Sequence, residues 1–161
     1  MLAADIAKGA VAGVAGHRLA GWRGAHIAST AAVVGHCFPA WSGFRGGKGV
    51  AASVGQCLVT FPVYVPIDLA VALATATHRF RHRAYAAVAS SAWVASAVVW
   101  WRRGWPNGWG PPPTAALRLA AAASSAVILS RFAAAERARA RATPWSADPA
   151  ECAATPGMPP R

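Results

Sequence analysis

Polar positions in this chain are gathered into short clusters between long apolar stretches. Four stretches stand out: Ala25 to Trp41, Val50 to Thr77, Ala84 to Trp101 and Leu117 to Phe132. With its entry into the following turn, the first approaches the ~20 residues that carry an α-helix across a bilayer. The third is the clearest span and ends in Trp100, Trp101, Arg102 and Arg103, the residue types that anchor helices at a membrane interface. The second contains Pro62 and Pro66 and one acid, Asp68. Proline inside a membrane helix frees backbone carbonyls that neighbours must satisfy, so this run is expected to kink or break. Ahead of these stretches, Met1 to Gly24 mixes Ala, Val and Leu with Asp5, Lys8, His17, Arg18 and Arg23, and beyond Thr143 periodicity gives way to Pro, Ala and charge.

The pattern predicts an all-α fold: a polytopic membrane helix bundle of four or five membrane helices over residues 1–142, carrying a Gly-rich interfacial loop, with a disordered tail over residues 143–161. Composition agrees, since 55% of the 161 residues are hydrophobic and 13% charged, with a positive mean hydropathy. The length allows one domain. A formal charge of +11, from 16 basic and 5 acidic residues, raises nucleic acid as a partner. The cations flank apolar runs instead of forming one hydrophilic face, which speaks against nucleic acid and for anionic membrane lipid. The basic clusters cannot all lie on one side if every apolar run crosses once; the proline-broken run is the natural segment that does not simply cross.

Candidate chemistry concentrates in Gly35 to Ala52, GHCFPAWSGFRGGKGVAA. Here Arg45 and Lys48 sit among Gly43, Gly46, Gly47 and Gly49. Glycines at that density let main-chain N–H groups converge on an anion, and the two cations add charge, so the stretch predicts a phosphate or acyl phosphate ligand. An ATP-binding P-loop is excluded by spacing: Gly43 is one residue too close, and Gly49 replaces the Ser or Thr that would hold magnesium.

The stretch resembles the second signature of the bacterial glycerol-3-phosphate acyltransferases that use acyl phosphate as donor, the PlsY family. Gly35, His36, Phe38, Pro39, Phe44, Gly46, Gly47, Lys48, Gly49, Val50 and Ala51 match that signature position by position, while Arg45 replaces a Lys and Ala52 a Thr. Asp5, Lys8 and Gly9 resemble the Asp-x-x-Lys-Gly that opens an early membrane helix in the same family. Its first signature would lie ahead of Asp5. Its third falls at Ser130, with Arg131 kept, Ser130 where a His is expected and Ala133 where an Asn is expected.

The resemblance implies acyl transfer from acyl phosphate to the 1-position of sn-glycerol 3-phosphate in phospholipid biosynthesis, in a multi-pass protein of the bacterial cytoplasmic membrane, with neither nucleotide nor metal as cofactor. It implies His36 and Lys48 as catalytic residues and Gly43, Arg45, Gly46, Gly47, Lys48 and Gly49 as the substrate-binding set. The alternative is a non-catalytic membrane paralogue that keeps a phosphate-binding loop. Without the motif, His36 reads as a packed interfacial histidine and Lys48 and Arg45 as membrane-flanking charges. Asp68 is a functional candidate because carboxylates are rare in membrane runs. Cys37, Cys57 and Cys152 lack metal-ligand spacing and read as free thiols, and the tryptophans from Trp93 to Trp109 as packing or interfacial residues.

Overall fold

The computed structural model describes residues 2–44, 46–76 and 81–142. Arg45, the start of the basic cluster at His78, Cys152 and the expected tail lie outside the described residues. Five α-helices follow one another: α1 (Leu2–Cys37), α2 (Val50–Thr60), α3 (Val65–Ala76), α4 (Arg81–Arg103) and α5 (Ala115–Ala142), with 3₁₀ turns at Ala40–Ser42 and Pro62–Tyr64. There is no strand among the described residues.

α1 is a hairpin of two arms. Ala20 (φ −144°, ψ 27°) and Gly21 (φ 61°, ψ −159°) leave the helical region, and Gly21 adopts a conformation open essentially to glycine alone. The chain therefore doubles back, and Gly16 faces Gly24 so closely that a Cβ on either would overlap the other's carbonyl oxygen. At the open end of the hairpin Asp5 meets His36. α2 packs on the first arm, where Gly9 lies against Ala52 and Gly13 against Val59. Small residues at such spacing let helix backbones approach, the usual basis of packing where no water drives association. The sequence pattern alone marked this segment only as irregular; its glycine spacing was the available signal.

α5 packs on α4 and on α1, and α3 on α4. Gln56, fully buried, joins three of these elements: its Nε2 donates to Thr30 Oγ1 (3.1 Å), and its Oε1 accepts from Ser124 Oγ (2.8 Å). An aromatic column, Trp93, Tyr64, Phe61 and Trp100, fills the space between α2, α3 and α4, with ring centroids 5.8 to 6.1 Å apart.

The expected break occurs at Pro62. α2 stops at Thr60, Phe61 turns out of the helix (φ −149°, ψ 59°) and α3 restarts at Val65. Pro62 has no N–H to give the Leu58 carbonyl four residues back. Trp109 Nε1 donates to that oxygen instead (2.8 Å), and the buried Asn107 donates through Nδ2 to Thr60 O (3.0 Å) and to Pro111 O (2.8 Å). Among the described residues one helical stretch, Ala115–Arg141, is long and apolar enough to cross a membrane; Val50–Thr60 and Pro62–Val71 are shorter apolar helices.

Candidate functional site

The glycine loop sits where the open end of the α1 hairpin meets the start of α2 and the C-terminal half of α5. Pro39 ends α1, the 3₁₀ turn follows, and Gly43 (φ 60°) and Phe44 (φ 63°) reverse the chain. Phe44 is not glycine, so this left-handed backbone is strained there; its N–H donates to Pro39 O at 3.0 Å and holds the turn.

The loop is then pressed against the end of α1. Gly47 N–H donates to His36 O (3.1 Å), and the His36 ring lies so near Gly47 that a Cβ there would overlap Nε2. Gly49 caps α2 with φ 84°, where a side chain would also meet Cys37 Sγ and Ile128. Beyond it the first N–H groups of α2, which lack intrahelical partners, open on the loop with the positive end of the helix dipole.

Charges approach from three elements. Arg131 of α5 donates from Nη2 to Gly46 O (2.9 Å) and from Nε to Gly47 O (3.4 Å), and its guanidinium lies 5.1 Å from the Phe38 ring centroid. Lys48 Nζ stands 4.6 Å from the Phe132 ring centroid. Asp5 Oδ1 lies 3.5 Å from His36 Nδ1 and accepts a hydrogen bond from Lys8 Nζ at 2.9 Å.

Two clefts meet at this cluster. One of about 430 Å³ is bordered by Lys8, His36, Pro39, Trp41, Gly46 and Gly47. The other, about 660 Å³, has His36, Lys48 and Gly49 at its rim and continues over Ile6, Val54, Val65 and Leu69, with Asp5 and Asp68 along its wall. Asp68 is half-buried and also borders a small interior cavity beside Tyr64 and Trp93. It thus faces the bundle interior beside the Pro62 break.

Of the residues marked from the sequence, His36, Gly46, Gly47, Lys48 and Gly49 share this site. Gly43 belongs to the turn behind it, its N–H committed to Ala40 O, and Arg45 lies outside the described residues. Asp5 as a partner of His36 and Arg131 as a clamp on the loop were not foreseen as site residues. The signals were present: Asp5 opens the Asp-x-x-Lys-Gly match, and Arg131 is the kept position of the third signature.

A family model described as glycerol-3-phosphate acyltransferase matches residues 1–140. The chain belongs to this family. Curated glycerol-3-phosphate acyltransferases resemble it in parts. That of Symbiobacterium thermophilum is 46% identical over 66 residues, 41% of this chain and 33% of the relative. Those of Maricaulis maris and a Bradyrhizobium species are each 39% identical, over 62% and 64% of this chain and 45% and 50% of the relatives. The chain therefore spans about a third to a half of the length of the curated relatives it matches. No solved structure matches it. Within the acyltransferase family's second signature, the loop has its glycines where His36 and Cys37 come closest, which gives a steric reason for Gly47 and Gly49 at those positions.

Proposed function

We propose that the chain transfers an acyl group from acyl phosphate to the 1-hydroxyl of sn-glycerol 3-phosphate, with the glycine loop as the phosphate seat. The observation that carries this reading is the position of a cationic loop at the rim of a long apolar cleft, the shape an amphiphile with a phosphate head requires. Lys48 and the start of α2 face the phosphate, while Ile6, Val54, Val65 and Leu69 offer a wall for the acyl chain. Arg131 acts through the backbone, fixing the Gly46 and Gly47 carbonyls so that the loop keeps its shape.

In the reaction the glycerol hydroxyl oxygen forms a bond to the acyl carbonyl carbon, and the bond from that carbon to the phosphate oxygen breaks. Inorganic phosphate leaves. His36, with the Asp5 carboxylate behind its Nδ1, is placed to take the hydroxyl proton. Acyl phosphate is already activated, so positioning and neutralisation of charge supply most of the remaining rate.

The membrane setting is supported by the distribution of side chains. Leu19, Ile27, Leu69 and Leu119 stand exposed while Ser29, Gln56 and Ser124 are buried and bonded between helices or to their own helix, an arrangement that suits a bundle packed in lipid. We read the two arms of α1, the α2–α3 pair, α4 and α5 as the elements of a multi-pass bundle in the bacterial cytoplasmic membrane.

One observation favours a second reading, the non-catalytic paralogue: Ser130, where the family's third signature has His, turns its hydroxyl back to Val127 O (2.7 Å). The two are separated by incubating detergent-solubilised protein with palmitoyl phosphate and radiolabelled glycerol 3-phosphate. The enzyme produces labelled lysophosphatidate and one phosphate per turnover. Retention of glycerol 3-phosphate without product establishes the paralogue, and absence of both removes the phosphate seat.

A further inference from the structure

Two cavities of very different size meet at Asp68. One is the long cleft of about 660 Å³ that starts at Lys48 and Gly49 and runs over Val54, Val65 and Leu69. The other is a recess of about 30 Å³ bordered by Ser53, Cys57, Tyr64, Ser90 and Trp93, with room for a group the size of a water molecule. Val50, Val54 and Asp68 border both. The recess is therefore a side pocket of the cleft, with Asp68 at its mouth.

This pocket carries polar groups that the apolar wall of the cleft does not. Asp68 is half-buried, and its carboxylate has neither a hydrogen bond nor an ion pair among the described residues. Ser90 is 6% exposed. Its hydroxyl also lacks a partner among the described residues, since Ser125 Oγ reaches only the Ser90 carbonyl, at 3.5 Å. The other hydroxyls on the wall are committed, Ser53 to Val50 O (2.8 Å) and Tyr64 to Ala89 O (2.7 Å). One strong acceptor and one group able to donate or accept are left for an occupant. A metal ion does not fit: the described residues hold no cluster of three or more His, Cys, Asp or Glu, and hard cations take roughly six to eight oxygen ligands.

We propose that the side pocket takes a hydroxyl group of the acyl chain, so that the cleft prefers donors hydroxylated at carbon 3 over plain acyl chains; this rests on the reading of the cleft as the acyl-phosphate seat. A plain chain lying over Val54 and Leu69 strips water from Asp68 and leaves a carboxylate against hydrocarbon, which is costly. A chain hydroxyl donates to that carboxylate and accepts from Ser90. A site that pairs with a substrate hydroxyl discriminates against the analogue without one. The position along the chain follows from the helix. Val50 and Val54, the α2 residues at the mouth, are one turn apart, a rise of about 6 Å, and Val50 directly follows the cap at Gly49. The mouth thus lies next to the phosphate seat, level with the first carbons of the chain. The Asp68 charge also repels phosphate, which keeps the head at Lys48 and the chain over the pocket.

The test is native mass spectrometry of the full chain in dodecyl maltoside, titrated with palmitoyl phosphate, 3-hydroxypalmitoyl phosphate or 16-hydroxypalmitoyl phosphate. The 3-hydroxy donor should be retained about tenfold more tightly than the plain one, the ratio that one charge-assisted hydrogen bond provides. One enantiomer should account for the gain, because the acceptor is fixed. The 16-hydroxy donor, which carries the same group at the far end, should gain nothing. Asp68→Leu should abolish the preference and Ser90→Ala should reduce it, while Asp68→Asn, which keeps the shape and an acceptor oxygen, should retain part of it. Equal retention of the plain and 3-hydroxy donors overturns the proposal and assigns the pocket to a water that stays under either chain. A preference that Asp68→Leu leaves intact overturns it too, as does an equal gain with the 16-hydroxy donor. Acyl transfer to glycerol 3-phosphate is followed alongside. Preferential retention without product removes the transfer reading and keeps the side pocket; product with equal retention keeps the transfer reading and removes the pocket; retention of no donor removes both.

Discussion

The two ends of the α2 helix solve the same problem in opposite ways. Both ends leave backbone groups without helical partners. At its C-terminal end Asn107 and Trp109 donate directly to the Thr60 and Leu58 carbonyls, so side chains complete the backbone and close it. At its N-terminal end the cap is Gly49, with no side-chain hydrogen bond. Arg131 takes the Gly46 and Gly47 carbonyls and leaves the first N–H groups of the helix facing the cleft. One end is finished by the protein itself; the other is shaped and left for a ligand.

Substitutions that act on one end and spare the other break this comparison. The largest effect is expected at Gly47→Val, whose side chain would occupy the space of the His36 ring. Moving the loop by even about 1 Å from the reacting groups should lower kcat/KM for acyl transfer about a hundredfold, while thermal melting shows a folded protein. Asn107→Leu should do the reverse. It removes both donors to buried carbonyls and should lower stability by about 1–3 kcal/mol, measured by denaturation in detergent, with the KM for glycerol 3-phosphate unchanged.

Arg131→Ala comes next, with KM rising about tenfold as the loop loses two charge-assisted bonds; Arg131→Lys should recover part of that because one donor survives. Trp109→Phe is the smallest. Trp109 is 73% exposed and water can replace the lost indole N–H at Leu58 O, so the expected cost is within about 1 kcal/mol of stability, with transfer unaffected.

Much of this was legible in the sequence, for identifiable reasons. Proline at 62 dictates a break because its missing N–H leaves a carbonyl unpaired, and the helix ends two residues before it. The glycine loop was legible because its residue types have few uses other than close approach. The partners were not legible, because they arrive through tertiary structure. Asn107 reaches Thr60 across 47 positions and Arg131 reaches Gly46 across 85, and no local pattern encodes such distances. The α1 hairpin was hidden for another reason: its turn rests on the backbone angles of Ala20 and Gly21, and the His17, Arg18, Trp22 and Arg23 around them read equally well as polar positions along one irregular helix. α5 likewise continues to Ala142, ten residues past the apolar run that ends at Phe132, because Ala, Glu and Arg sustain a helix without apolar contrast.

The most direct measurement of the central claim is glycerol 3-phosphate binding by isothermal titration in detergent, comparing the wild-type chain with Lys48→Ala and Lys48→Arg. If the loop and the start of α2 seat a phosphate, Lys48→Ala should weaken binding by about tenfold or more, the value of one charge-assisted contact, and Lys48→Arg should retain most of it because the charge remains. Equal binding by wild type and Lys48→Ala would contradict the account and assign the phosphate to another part of the molecule.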